Sequence, residues 1–328
     1  MTTIATVLIP AFNEEDDIEE CLECVARQSV GADALDVLLI DGQSTDRTVA
    51  RATGFAAAAG FASFRVVENA ARRTAAGLSL GLDLVTTPLV VRVDARSRIQ
   101  PSYVVGIRDV LDSRPEVGVV GGAQVPLDRE TSTVASGIAR ALSNRLTTGL
   151  SRYRRSPISG PADTVWMGAF RAGDLRKVGG WDRDHGINED YELNARFADA
   201  GYVIWFEASL RSGYVPRRDL PALARQYYSF GESKGQAWAG GRRPAPRQVA
   251  LLAIPLVGGF VALLSIRRAG LLPTAAVGVA ALLAVDGVGG PPGPVPLTTR
   301  AASAAATVTF SGAWFAGVVG GWFRSRVP

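Results

Sequence analysis

Asn13, Asp41 and Asp94 each stand at or just past the end of a short apolar run, the runs covering residues 4–9 (closed by Pro10), 34–40 and 89–93. A carboxylate in such a place can accept a ring N–H, hold a divalent ion or take a proton from a hydroxyl. Asp94 opens the stretch Asp94-Ala95-Arg96, a lone carboxylate followed by a cation. An acidic pair, Glu189-Asp190, stands far downstream, and the single histidine, His185, lies five residues before Asp190. A lone loop histidine has two readings, an incidental surface residue or a supplementary metal ligand.

These residues need a scaffold. The first three apolar runs and a fourth at 64–67 are expected as strands, separated by helical stretches. Asn13 is expected to cap a helix whose first turn is Glu14, Glu15, Asp16 and Asp17, and Ser44 or Thr45 another with Asp46 in its first turn. Alternation at this spacing predicts an α/β fold, a doubly wound, mostly parallel, Rossmann-like sheet. In such a sheet the C-terminal strand ends share one rim, where ligands bind. The plainer reading of the three polar residues is as caps and turn formers.

Downstream, helices are expected at 101–111, 132–146, 172–178, 190–200 and 220–238, and strands at 117–125, 166–170 and 202–206, with Gly121-Gly122 as a bulge. Residues 152–163 and 181–187 read as loops. Asp190 opens its helix, so an N-terminal cap is its bland reading.

Charge nearly vanishes after Arg247. Residues 249–266, 271–285 and 301–323 are uncharged apolar runs, the first two separated by Arg267-Arg268. A spanning helix needs ~20 apolar residues. The third run is long enough; the first two suit a hairpin, tilted spans or re-entrant segments. The expected organisation is therefore a domain over 1–240 and hydrophobic membrane-associated helices over 241–328. The net charge is +4, with arginines clustered at 152/154/155, 217/218, 242/243/247, 267/268 and 324/326. Basic clusters beside apolar runs suit anionic lipid headgroups, and no motif supports nucleic-acid binding. Cys21 and Cys24 form a Cys-x-x-Cys, but no further Cys or His pair completes a zinc site. With Ile18, Leu22 and Val25 they mark an apolar helix face and read as small core residues. The N-terminus lacks a basic n-region and cleavage site, so no signal peptide is expected.

VLIPAFNEE, LLIDGQSTDRT, NAARRTAAGLSLGL, VVRVDARS and GINEDYELNARFADAGY, in this order across roughly residues 4–205, resemble the inverting family 2 glycosyltransferases of GT-A fold, and most closely the bacterial exopolysaccharide branch typified by succinoglycan glucosyltransferases. The resemblance implies roles. Pro10, Asn13 and Glu14 match the first nucleotide-binding loop, Asp41 the aspartate that bonds the uracil edge, and Arg73 a basic residue near the pyrophosphate. Asp94 matches the first aspartate of an Asp-x-Asp metal motif, implying Mg2+ or Mn2+. Asp190 matches the general base, with Glu189, Trp181 and Gly168 on the acceptor side. Arg96 departs from the motif. Three readings of it stay open: Asp94 alone holds the ion, with His185 as a supplement; Arg96 contacts the diphosphate itself; or Arg96 points to solvent or lipid phosphates. The Gln-x-x-Arg-Trp motif of processive synthases is absent.

The resemblance implies transfer of one sugar from a UDP-sugar, with inversion, to a polyprenyl-linked saccharide at the cytoplasmic membrane, the catalytic domain facing the cytoplasm. Alternatives are a polyprenyl-phosphate glycosyltransferase and a non-enzymatic, membrane-bound nucleotide-sugar-binding scaffold of a polysaccharide assembly complex.

Overall fold

The structure, a computed structural model, describes residues 3–129, 132–144, 146, 152–155, 157–184, 186, 188–241, 244, 249, 264–268 and 270–325. The chain forms two compact units, Met1–Val125 with Arg152–Tyr214, and Pro126–Ser151 with Val215–Pro328.

The first unit is built on one mixed sheet. Its strands are β1 (Ala5–Ala11), β2 (Leu35–Asp41), β3 (Ser63–Glu68), β4 (Leu89–Arg92), β5 (Ser97–Ile99), β6 (Val117–Pro126), β7 (Gly160–Pro161), β8 (Trp166–Arg171) and β9 (Val203–Tyr214). The order is β3-β2-β1-β4-β8-β6-β9-β5, with β7 beside β9. The first four strands are parallel, as the alternation predicts. Beyond β4 the described pairings are antiparallel, so the parallel character stops halfway across the sheet. β5, three residues long, was too short to carry a hydrophobic pattern of its own. The Gly121-Gly122 bulge is present as a register shift between Val120 and Gly122.

Strand alternation divides the core into two layers, because successive side chains point to opposite faces. Val7, Ile9, Val37, Leu39, Val91 and Val93 face one side, where α1 (Ile18–Ala26), α2 (Thr48–Ala59) and α4 (Tyr103–Ser113) supply Ile18, Leu22, Ala52 and Tyr103. Leu8, Leu38, Ile40 and Val90 face the other, with Leu78 and Leu82 of α3 (Thr74–Asp83). Cys21 is fully buried in the first layer and Cys24 packs against it, the core role expected of them. Burial pushes both thiols up, away from thiolate chemistry.

The second unit is helical. It contains α5 (Thr133–Ser143), and the first unit's α6 (Arg152–Arg155), α7 (Ala172–Lys177) and α8 (Glu189–Asp199) intervene before α9 (Leu220–Ala239), α10 (Leu271–Gly289) and α11 (Leu297–Arg324). α5 and α9 thus group with the apolar helices and not with the sheet, unlike the boundary at 240/241 that hydropathy suggests. The reason is packing. A Cβ on Gly231 or Gly235 of α9 would overlap the carbonyls of Trp314 and Val318, and one on Gly317 or Gly321 of α11 those of Tyr228 and Glu232. Glycines let the two backbones touch. Ala302 and Ser303 of α11 sit equally close over Gly137 of α5. Inside the segment that reads as the second apolar run and its margin, Asp286 is buried and bonded to Arg140 Nε (2.9 and 3.0 Å), Arg300 Nε (3.2 Å) and Ser303 Oγ (2.6 Å). The stretch 152–163, expected as a loop, holds α6 and β7. Most of the first apolar run lies outside the described residues, as does His185.

Candidate active site

The parallel strands deliver the first loops. Register sets Ala11 beside Asp41 and Asp41 beside Glu68, so the ends of β1, β2 and β3 align. Pro10 lies within β1 opposite Ile40. Beyond it, Asn13 takes a left-handed φ of 53°, a conformation its short amide tolerates. Asn13 does not cap α1, which starts five residues later. Its N–H donates to Ser44 Oγ (3.0 Å) and its Oδ1 accepts from the Thr45 N–H (2.9 Å). Nor does Ser44 or Thr45 cap α2. Asp46 accepts from the Thr48 N–H (2.9 Å) and the Glu15 N–H (3.1 Å). The residues expected as local caps instead lace two neighbouring loops together. The long-range partner wins because adjacent parallel strand ends bring the loops within hydrogen-bond reach.

Asp41 is 8% exposed and both its oxygens accept from the Ser44 N–H, at 3.3 and 3.1 Å. Its carboxylate is fixed at the rim before any ligand arrives. Arg73 precedes α3 and donates through Nη1 to the Asp184 carbonyl (3.2 Å), joining the α3 entrance to the loop before Glu189.

The centre is a cluster the motif reading missed in part. Arg92, on β4, donates through Nε to Asp94 Oδ1 (2.7 Å), and through Nη1 to Glu189 Oε1 (2.8 Å) and Asp190 Oδ1 (2.7 Å). One guanidinium therefore gathers Asp94, Glu189 and Asp190. The arginine side chain is 8% exposed; those of Asp94 and Asp190 are 28% and 21% exposed. A signal existed. In a strand buried on both faces, Arg92 takes the face opposite Val91 and Val93, the layer that Val90 also fills. A charged residue there demands partners.

Asp190 lies in the first turn of α8, whose N-cap is Asn188, φ 66°. Its carboxylate is turned on Arg92, which the bland reading as a cap does not provide for. Burial pushes Asp190 up to about 7; Arg92 pulls against that, while the negative charges of Glu189 and Asp94 add to it. A carboxylate so poised can hold or release a proton near neutral pH.

Asp94 is held from behind. Its N–H donates to Met167 Sδ (3.3 Å), and its carbonyl accepts from Ser97 N (2.8 Å) and Cys21 Sγ (3.6 Å). Met167 is fully buried with a φ of 52°, where β8 changes register against β6. Unbranched and polarizable, it fits beneath the turn. Arg96 does not point to solvent. Its Nε lies 3.0 and 2.8 Å from the two oxygens of Glu14, and its side chain is 20% exposed. Glu14 is thereby bound to the second half of the motif stretch. Trp181 and Gly168 are not presented to a ligand. Trp181 is 2% exposed and meets Phe170 edge-on, at 5.5 Å between centroids. A Cβ on Gly168 would crowd Phe170 and Val119. Both belong to the core: Trp181 and Phe170 share a layer with Leu193 and Phe197 of α8, and Gly168 lets Phe170 pack close to the backbone.

Among the described residues no group of three or more His, Cys, Asp or Glu is arranged to hold a metal alone. The Arg92 cluster nevertheless carries two negative charges in excess when its three carboxylates are ionised. That excess, with Asp94 partly accessible, fits a divalent ion whose remaining ligands come from water and a diphosphate, a coordination Mg2+ accepts readily.

The model of the family described as Glycosyl transferase family 2 matches residues 6–177, just over half of the chain and short of Glu189-Asp190. The succinoglycan biosynthesis protein ExoA of Rhizobium meliloti is 28% identical over 99% of this chain and 98% of its own. A dolichyl N-acetyl-alpha-D-glucosaminyl phosphate 3-beta-D-2,3-diacetamido-2,3-dideoxy-beta-D-glucuronosyltransferase of Methanococcus voltae is 20% identical over 70% of this chain and 72% of its own. Among solved structures, a mannosyltransferase from Pyrobaculum calidifontis in complex with GDP-Man and Mn2+ is similar, with a TM-score of 0.59 and 22% identity, over 99% of this chain and 88% of that one. That likeness is one of GT-A fold.

Proposed function

This chain belongs to glycosyl transferase family 2 and is a glycosyltransferase, and we propose that it moves one sugar from a UDP-sugar, with inversion, to a lipid-linked saccharide in the synthesis of a cell-surface or exported polysaccharide. The observation that carries the reading is the Arg92 cluster, which holds Asp94 and Asp190 on one guanidinium. Asp190 is the general base. It takes the proton of the acceptor hydroxyl as that oxygen bonds to the anomeric carbon, while the bond from that carbon to the nucleoside diphosphate oxygen breaks. Arg92 keeps the base and the donor-side carboxylate in fixed relation, so little reorganisation is left to the reaction.

On the donor side, Asn13, Glu14 and Asp41 form the nucleoside end, Asp41 offering a fixed acceptor to the uracil N3–H. Arg73 serves the diphosphate. Asp94 would hold Mg2+ or Mn2+, which supplies positive charge to the leaving diphosphate when bound. The mannosyltransferase relative in fold was solved with GDP-Man and Mn2+, and a divalent ion here agrees with it. The length-wide similarity to a succinoglycan biosynthesis protein supports a saccharide acceptor, and the two candidate apolar helices, α10 and α11, support its lipid anchorage. The catalytic unit is assigned to the cytoplasmic face, where nucleotide sugars are made.

The test separates binding from chemistry. Asp190→Asn is expected to bind UDP as wild type does, by calorimetry, yet to lose transfer by a factor of roughly 10²–10⁴. Transfer that survives the change would remove Asp190 from the mechanism, and UDP binding without turnover by the wild type on any lipid-linked acceptor would favour a scaffold. GDP competing as well as UDP would overturn the assigned base.

A further inference from the structure

By length and hydropathy α11 is a candidate to cross a membrane. Its surroundings argue otherwise. It carries two faces. Ser303, Ala306, Phe310, Gly317 and Gly321 are buried, where the helix meets α5 and α9. On the other side, Leu297, Ala301, Ala305, Val308, Gly312, Ala316, Val319 and Phe323 are all exposed, at spacings of three or four. At ~1.5 Å per residue this apolar stripe is ~40 Å long.

The helices packed on α11 carry charge along its whole length. Near its start, Arg300 and Ser303 join Arg140 on Asp286. At its middle, the Tyr227 ring meets Phe310 at 5.0 Å, and exposed Arg225 precedes Tyr227 by two residues, lining one groove with Ala313. Near its end, Arg324 pairs with Glu232 of α9. Were α11 to cross, the glycine contacts would carry α9 with it, and Arg225 would lie near mid-bilayer. A charged side chain at that depth is expensive and is found paired or in a water-filled cavity, whereas Arg225 is exposed on the helix surface.

We propose that α11 does not cross the bilayer but lies in the plane of the lipid interface, its stripe from Leu297 to Phe323 set against the acyl chains and its buried face forming the core of the helical unit. The partner is a lipid surface. α10 adds apolar surface to the same unit, exposing Leu271, Leu272, Val277 and Val279. Arg267, Arg268 and Arg324 are exposed beside these apolar faces and suit anionic headgroups. A helix with one apolar face and charged neighbours on the other is what an interface accommodates. The inference is independent of which sugar or acceptor the enzyme uses.

Two measurements on the full chain test it. In a Cys24→Ser background, with Cys21 buried, Pro292→Cys and Ser325→Cys bracket α11. A membrane-impermeant maleimide applied to one face of sealed vesicles is expected to react with both or with neither, while detergent exposes both. Reaction of one from each face would overturn the proposal. In the second measurement, an environment-sensitive dye on Val308→Cys is read in vesicles containing one-third anionic lipid. Quenching by a spin label near the headgroup should exceed quenching by one at the chain end. Stronger quenching from the chain end means a spanning helix. Quenching by neither means the stripe is covered by protein, such as a second copy, and the proposal fails.

Discussion

Arg92 and Asp190 decide most of what this site can do, and they depend on each other in opposite directions. Removing the guanidinium leaves three carboxylates around a buried void. Arg92→Met is therefore expected to destabilise the protein by about 3–5 kcal/mol in urea titration, the range for breaking a buried ion pair from one side, and to abolish transfer. Asp190 gives a pH signature. Its proton is held up to about 7, so the base is present only as pH rises through that value. The kcat/KM of the enzyme should climb with pH to a plateau above about 7. Glu189 is one of the charges that raise Asp190, so Glu189→Gln should move the climbing limb to lower pH. An unmoved limb would assign it to another group. Stability has the other sign. A carboxylate raised above its unfolded value near 3.8 favours folding below that value, and this is lost as pH rises through about 7. Asp190→Asn removes the cost of ionising the buried group. Its melting temperature should exceed that of the wild type by a margin that grows from pH 4 to pH 8.

At the scale of elements, Asn13, Asp41 and Asp94 were legible as strand-end residues because a parallel strand announces itself by an unbroken apolar run with a polar stop. The layer assignment of β1 and β2 follows from the same alternation. What could not be read locally is what those stops bind. Asn13 and Ser44 resemble helix caps in sequence, but Asn13 Oδ1 accepts from Thr45, 32 residues away, and Ser44 Oγ from Asn13, 31 residues away. Arg92 shows only half its role locally, because Asp94 is two residues away while Glu189 and Asp190 sit 97 and 98 residues downstream. Trp181, placed on the acceptor side by the resemblance, is core, because the loop that carries it folds its ring back onto Phe170. The contact of α9 with α11 left a trace in the spacing of Gly231 with Gly235 and of Gly317 with Gly321, yet spacing alone does not say which helix faces which. Gly317→Leu tests that contact. The added side chain would meet the Tyr228 carbonyl and force the helices apart. Full-length protein should lose the helical unit's cooperative melting by circular dichroism, by at least the ~1–3 kcal/mol typical of overpacking. Gly312→Leu, on the open side of the same helix where a Cβ meets nothing, should not.

For the molecule as a whole, hydropathy and packing divide the chain differently, and the difference has a practical consequence. Charge becomes sparse after Arg247, which invites a cut near residue 240 to release a soluble catalytic domain. The helical unit, however, begins at Pro126, leaves the chain for Arg152–Tyr214, and resumes at Val215. A cut at 240 keeps α5 and α9 and discards α11, the helix on which both pack. It uncovers Gly137 of α5, Tyr227 and Trp238 of α9, which meet Phe310 and Trp314, and the glycine faces, an apolar surface with nothing left to cover it. It also removes Asp286 and Arg300, stranding Arg140, now 10% exposed, without its counter-charge. Residues 1–240 are therefore expected to aggregate when expressed alone, whereas the full chain extracted in mild detergent stays monodisperse by light scattering. Replacing the exposed α11 stripe with polar residues, at Ala305, Val308, Ala316 and Val319, should do the reverse. The helical unit keeps its core, loses its hold on lipid, and the full chain needs less detergent to stay in solution. If 1–240 were soluble and bound UDP normally while the stripe variant misfolded, the partition by packing would be wrong and the partition by hydropathy right.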